Sequence, residues 1–233
     1  MQESDLAGAI DHTLLRADAT RPHIFGLCLE ASRYGFHAVC INPCYVDFAR
    51  HVIVSQSLGG VRICTVVGFP LGATSSESKV EEALRALEDG AQEIDMVINV
   101  GALKEGRFEY VSSEIARVAE LLRSGMGLTL KVILEAPLLT DAEKIKACEL
   151  AAEAGAHFVK TSTGFHPNGG VTLHDVRLLH KAVGGRLAIK AAGGIQDLRT
   201  ALAMIRSGAS RLGTSSSVRI MEELRSVRGK VPG

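Results

Sequence analysis

Gly155-Ala156-His157-Phe158-Val159-Lys160-Thr161-Ser162-Thr163-Gly164 reads as a helix stop, a short strand and a polar turn. Glycine reaches positive φ without a Cβ clash, so it ends helices readily. The apolar run behind Gly155 is too short for a helix and fits a buried strand. The same order recurs at Gly35-Phe36-His37-Ala38-Val39, Gly90-Ala91-Gln92-Glu93-Ile94 and Gly208-Ala209-Ser210-Arg211-Leu212. These starts lie roughly sixty residues apart, the length of two strand–helix units.

Working outward from these four, eight short apolar runs emerge, at 8–14, 37–41, 61–67, 93–99, 128–135, 157–161, 187–191 and 210–213. Helical patterns separate them. Val80, Ala83, Leu84 and Leu87 recur at helical spacing, as do Val111, Ile115, Val118 and Leu122, and then Leu198, Leu202 and Ile205. Such spacing places apolar side chains on one face, ready to pack on a sheet. Thr74-x-x-Glu77 and Thr140-x-x-Glu143 read as capping boxes, and Gly90, Gly125, Gly155 and Gly208 as helix ends. Strict alternation with no linker or change of composition predicts a parallel sheet. Eight units favour a closed (β/α)8 TIM barrel, one domain over residues 1–233, which is close to the usual length of that fold.

Composition narrows the function. Lys+Arg and Asp+Glu number 26 each, so the net charge is zero and no nucleic-acid groove or anionic membrane is indicated as partner. Cys28, Cys40, Cys44, Cys64 and Cys148 are odd in number and form no C-x-x-C pair, which points to reduced thiols in a cytoplasm. The first residues show no signal-peptide pattern, and no run is long enough to span a bilayer. The eight histidines form no H-x-H or H-E-x-x-H pair, and no G-x-G-x-x-G or Walker pattern occurs, so neither a metal nor another cofactor is expected. Twofold assemblies are common enough to make a homodimer the default expectation.

In a (β/α)8 barrel the chemistry sits at the C-terminal ends of the strands. Lys160 lies inside an apolar strand. Its ammonium could snorkel outward, but alternation puts Phe158, Lys160 and Ser162 on one face, and a charge is tolerated only on the face lining the lumen. Lys190, in Leu187-Ala188-Ile189-Lys190-Ala191-Ala192-Gly193-Gly194, repeats this setting one strand later. Two like charges side by side make poor structure and good chemistry. A neighbouring cation favours the neutral amine, which attacks a carbonyl to form a Schiff base. Asp95 shares a strand face with Glu93, Val97 and Asn99, and reads either as a proton relay or as a buried ion-pair partner. Asp11 holds a similar place on the first strand, where a hydrogen-bonded strand-end carboxylate is the plainer reading. The turns Ser162-Thr163-Gly164, Ala192-Gly193-Gly194 and Gly213-Thr214-Ser215-Ser216-Ser217 follow the last three strands. The last of these opens a helix, whose N-terminal N–H groups suit a phosphate. Cys40 and Asn42 sit where they could line the site, though Cys40 reads better as a small core residue.

Five ordered segments resemble the signatures of the deoxyribose-phosphate aldolase family: Ile10 to Leu15, Glu93 to Asn99, Val159 to Phe165, Lys190 to Ile195 and Arg211 to Ser216. The resemblance implies a class I aldolase that reversibly cleaves 2-deoxy-D-ribose 5-phosphate to D-glyceraldehyde 3-phosphate and acetaldehyde. It implies that Lys160 forms the Schiff base, and that Lys190 and Asp95 move protons, with Lys190 also tuning Lys160. Gly164, Gly193, Gly194, Gly213, Ser215 and Ser216 match phosphate-binding positions, and Asp11, Thr13 and Thr163 fall in the substrate-binding set. Two features depart from the family pattern. Gln196 stands where many members have Arg, and residues 229–233 lack the tyrosine that many members carry in a C-terminal tail. Both bear on phosphate affinity and turnover, and not on the chemistry. The rival readings are another enzyme on the same barrel, either a sugar-phosphate isomerase, which would leave the two lysines unexplained, or a different Schiff-base aldolase, and a barrel that binds a sugar phosphate without turning it over.

Overall fold

A computed structural model describes residues 2–123, 125–167 and 169–228. The eight strands are β1 (Ile10–Leu14), β2 (Ala38–Ile41), β3 (Arg62–Val67), β4 (Glu93–Val97), β5 (Thr129–Ile133), β6 (Phe158–Lys160), β7 (Ala188–Ala192) and β8 (Arg211–Thr214). All pair in parallel in sequence order, and β8 returns to β1 through Ile10↔Leu212, Asp11↔Gly213 and His12↔Thr214, closing the barrel. A short α1 (Glu3–Ala7) precedes β1. The outer layer is α2 (Arg21–Tyr34), α3 (Val46–Ser55), α4 (Ser76–Asp89), α5 (Val100–Lys104) with α6 (Phe108–Arg123), α7 (Asp141–Glu153), α8 (Leu173–Val183), α9 (Leu198–Arg206) and α10 (Ser217–Arg228). Residues 229–233, on which the missing tyrosine was read, lie outside the described residues.

Every expected strand is present, and the differences lie at the ends. The run at 93–99 stops at Val97 because the Asn99 side chain accepts a hydrogen bond from the Ala102 N–H at 2.9 Å and caps α5 instead. The run at 128–135 stops at Ile133, and Glu135 turns the chain with a φ of 54°. Gly35, Gly90, Gly155 and Gly208 all adopt positive φ, as their place after a helix requires. Past α6 a φ of 78° falls on Gly127, two residues beyond the expected Gly125.

The Thr140–Glu143 capping box is present. The one expected at Thr74–Glu77 is not. Ser75 caps α4 by accepting from the Ser78 N–H at 3.2 Å, and Glu77 pairs with Arg117 at 2.6 Å. Either hydroxyl could start the helix, and the ion pair draws Glu77 away from the cap.

The main core lies between strands and helices. Val111, Ile115, Val118 and Leu122 of α6 are all buried there, as their spacing predicts. On α4 the stripe is narrower than expected: Ala83 is buried, Val80 and Leu87 pack at its edge, and Leu84 is 39% exposed. Burying an aliphatic side chain is worth about 1.5–3 kcal/mol, so this layer carries most of the stability. A second small apolar cluster, Leu15, Ala38, Cys40, Cys64 and Val66, fills the barrel on the β2–β3 side. No described helix is long and apolar enough to cross a membrane.

Candidate active site

The rest of the lumen is ionic. Register places Lys160 directly beside Lys190, Lys190 beside Arg211, and Asp95 beside Lys131. Side chains of one pleat therefore converge inside the barrel. Asp95 Oδ2 lies 2.8 Å from Lys160 Nζ and 2.7 Å from Lys190 Nζ, so one carboxylate oxygen bridges the two lysines. Asp95 Oδ1 accepts from Lys131 Nζ at 2.9 Å and from the Cys64 thiol at 3.2 Å. Lys190 Nζ also lies 2.5 Å from Asp11 Oδ2, and Arg211 bridges Asp11 (2.9 Å) to Glu93 (3.2 Å). Lys131 closes the network 2.5 Å from Glu93, whose outer oxygen meets His37 and Arg62.

Isolated charges could not survive at this depth, but paired ones can. Burial raises the Asp95 carboxyl, yet Lys131, Lys160 and Lys190 outweigh it and hold the group well below the ordinary carboxylate range. Asp11 and Glu93 are lowered in the same way: burial opposes, and Lys190, Lys131 and Arg211 prevail for Asp11, His37, Lys131 and Arg211 for Glu93. Burial pulls Lys190 down, but Asp11 and Asp95 raise it well above an ordinary lysine, so it is a permanent cation. Lys131 is likewise raised against burial, chiefly by Asp95.

Above this network opens a cavity of about 300 Å³. Lys160, the last residue of β6, reaches its floor, and Thr13, Thr163, Gly164, Gly193, Gly194, Gly213 and Ser215 line its walls. Lys190, Asp95 and Asp11 lie beneath the floor, each with no exposed surface. Ser216 is not on the wall, and its N–H donates to Thr214 Oγ1 at 2.9 Å. Cys40 is buried in the small apolar cluster, and Asn42 donates to the Leu15 carbonyl at 3.1 Å. Gln196 does line the cavity.

Hydrogen bonds set the shape of the wall. Thr161 and Ser162 hydroxyls both donate to the Ala192 carbonyl, tying the turn after β6 to the turn after β7. Glu135 accepts from the Thr163 hydroxyl at 2.5 Å, which accounts for a glutamate held at positive φ. Gly213 is needed for space: a Cβ there would sit 3.1 Å from Lys190 Cε and 3.2 Å from Ala192 Cβ.

The family model described as "DeoC/LacD family aldolase" matches residues 6–220. This chain belongs to that aldolase family. The aldolase is 55% identical to a deoxyribose-phosphate aldolase of Thermococcus gammatolerans over 221 residues, covering 95% of this chain and 97% of the relative. It is 52% identical to one from Caldanaerobacter subterraneus subsp. tengcongensis, covering 94% and 93%. Among solved structures, the deoxyribose phosphate aldolase of Aeropyrum pernix, described as a unique tetramer, superposes with a TM-score of 0.89 at 36% identity, covering 97% of this chain and 93% of that one.

The aldolase also holds residues that sequence reasoning passed over. Lys131 sits in Leu130-Lys131-Val132, the same apolar setting that singled out Lys160 and Lys190. Arg211 and Glu135 carry little sequence signal, since Arg211 opens its strand and Glu135 lies two residues past β5. Two buried triads, Cys40–Cys64–Asp95 and Asp11–Cys64–Glu93, have metal-ligand atoms close together. Their carboxylates are already engaged by Lys131, Lys160, Lys190 and Arg211, so a divalent cation would have to displace ammonium and guanidinium groups.

Proposed function

We propose that this aldolase is a deoxyribose-phosphate aldolase, cleaving 2-deoxy-D-ribose 5-phosphate to D-glyceraldehyde 3-phosphate and acetaldehyde through a Schiff base on Lys160. One observation carries this reading. Of the three lumen lysines, Lys160 alone among the described residues reaches the cavity, while Lys131 and Lys190 are sealed below it. A nucleophile must touch substrate, and a charge-setting group need not.

The Lys160 amine attacks C1 of the open-chain sugar, and water leaves to give a protonated imine. The C2–C3 bond then breaks, its electron pair moves into the C1–C2 enamine, and the C3 hydroxyl loses its proton to become the aldehyde of glyceraldehyde 3-phosphate. Protonation at C2 and hydrolysis release acetaldehyde and the free amine. In this reading Asp95 passes protons, which its contact with both Lys160 and Lys190 supports. Lys190 supplies the neighbouring positive charge. Lys131, Lys160, Lys190 and Arg211 meet the carboxylates Asp11, Glu93 and Asp95 inside the barrel, and Arg62 meets Glu93 from outside. The glycine turn after β7 and the serine turn after β8 receive the phosphate beside the α10 N-terminus.

The isomerase alternative fares worse. It needs a carboxylate or histidine facing substrate, and no such residue lines the cavity among those described. The proposed setting is cytoplasmic deoxyribose phosphate breakdown by a homo-oligomer, in keeping with the tetrameric relative. Borohydride reduction with acetaldehyde or deoxyribose 5-phosphate tests the chemistry. The adduct should map to Lys160 and vanish in Lys160→Ala. An adduct on Lys190, or an undiminished one in Lys160→Ala, overturns the assignment.

A further inference from the structure

We propose that Arg16 supplies the side-chain positive charge that holds the substrate's phosphate in this chain, doing from the β1 side what Gln196 cannot do from the β7 side. This rests on the cavity being a sugar-phosphate site, as argued above.

A phosphate dianion in a partly closed cavity needs more than neutral N–H donors. Some of the nearby backbone donors are already committed: the Ser216 N–H to Thr214, and the Val171 N–H to the Gly193 carbonyl. Gln196 adds no charge. Two cations reach the cavity wall among the described residues, Lys160 and Arg16, and no carboxylate does. Lys160 is occupied with the carbonyl end, which leaves Arg16.

Topology puts Arg16 where it is needed. β1 and β8 are paired neighbours, with His12 opposite Thr214. The loop leaving β1 with Arg16 therefore runs beside the loop leaving β8 with Ser215, and both residues line the same cavity. Gln196 approaches from the other flank, after β7. The β8 turn thus has one flanking loop on each side, and the guanidinium comes from the β1 side.

The current partners of Arg16 give it up cheaply. It lies 3.3 Å from Asp18 and 3.2 Å from His23 Nε2, and its side chain is 51% exposed. Exposed pairs of this kind are weak. An arriving phosphate offers two negative charges and bidentate geometry, which guanidinium matches well.

The test measures phosphate recognition two ways in the full-length protein and in Arg16→Gln, Arg16→Lys and Arg16→Gln/Gln196→Arg. One readout is the ratio of kcat/KM for deoxyribose 5-phosphate to that for deoxyribose. The other is the Kd of inorganic phosphate by calorimetry, which needs no turnover. In Arg16→Gln the ratio should fall about tenfold to a hundredfold, the range for a hydrogen bond to a charged group, and phosphate Kd should rise to match. Arg16→Lys should keep part of both, and restoring a cation at 196 should recover most of the loss. An unchanged ratio and Kd in Arg16→Gln overturn the proposal, as does a loss that Gln196→Arg leaves in place. If the parent protein does not cleave deoxyribose 5-phosphate but its phosphate Kd still depends on Arg16, the proposed activity fails and the charge assignment stands.

Discussion

Asp95 faces three ammonium groups at once, and that fixes what its loss must do. Asp95→Asn leaves Lys131, Lys160 and Lys190 crowded in the lumen with one countercharge fewer. Breaking a buried ion pair by removing one partner costs about 3–5 kcal/mol. We therefore expect a loss of that order in urea unfolding at pH 7, together with slow turnover. The adduct proposed at Lys160 should still be trappable, because the proposed imine forms on the amine and not on Asp95. A stable, fully active Asp95→Asn would refute the bridging role. This residue was legible in sequence because a carboxylate inside an apolar strand stands out, and so do Lys160 and Lys190. Lys131 has the same signature, and only the closed barrel shows that it points to the same centre. Arg16 gives no signal at all: an arginine in a polar loop is ordinary until the cavity it faces is known.

At the scale of elements, α4 and α6 are joined by a fully buried ion pair. Lys79 Nζ lies 2.6 Å from Glu114 Oε2, and the other oxygen of Glu114 accepts from the Asn99 N–H at 2.7 Å. Asn99 caps α5, so this pair also fixes the turn leaving β4. Burial dominates both groups, lowering Lys79 and raising Glu114, which marks a site with little energy to spare. Glu114→Ala should destabilise the fold by about 3–5 kcal/mol by stranding a buried ammonium. Replacing both partners with apolar residues should cost much less. The two unfolding midpoints decide the point, and equal losses would argue against a stranded charge. Helix and strand order could be read from the chain because glycine stops and apolar spacing are local. The Lys79–Glu114 pair could not, since its partners are 35 residues apart on helices whose facing sides only packing reveals. Which hydroxyl caps α4 was equally hidden, because Thr74 and Ser75 offer the same chemistry one residue apart.

For the whole molecule, the ionic lumen sets how the fold answers to acid. Asp11, Glu93 and Asp95 are all held below their ordinary values of 3.8, 4.5 and 3.8. The unfolded chain therefore binds protons that the folded one refuses. Their stabilisation is fully present above the ordinary values and is lost as pH falls through the depressed ones. Urea midpoints should drop steeply below about pH 4. Asp95→Asn should show a shallower drop by one proton, and an equally steep one would mean that Asp95 is not among the groups responsible.

The closure of β8 on β1 has a consequence for how the protein is made. Asp11 is translated early, and its guanidinium partner Arg211 follows 200 residues later. While the ribosome is still extending the chain, the first strand has no neighbour on one edge, and the central charges stay in water because nothing yet repays their dehydration. No growing fragment can assemble the interior and finish the rest at leisure. Catalytic competence should therefore appear abruptly, with the emergence of the eighth strand, rather than accumulate as the polypeptide lengthens.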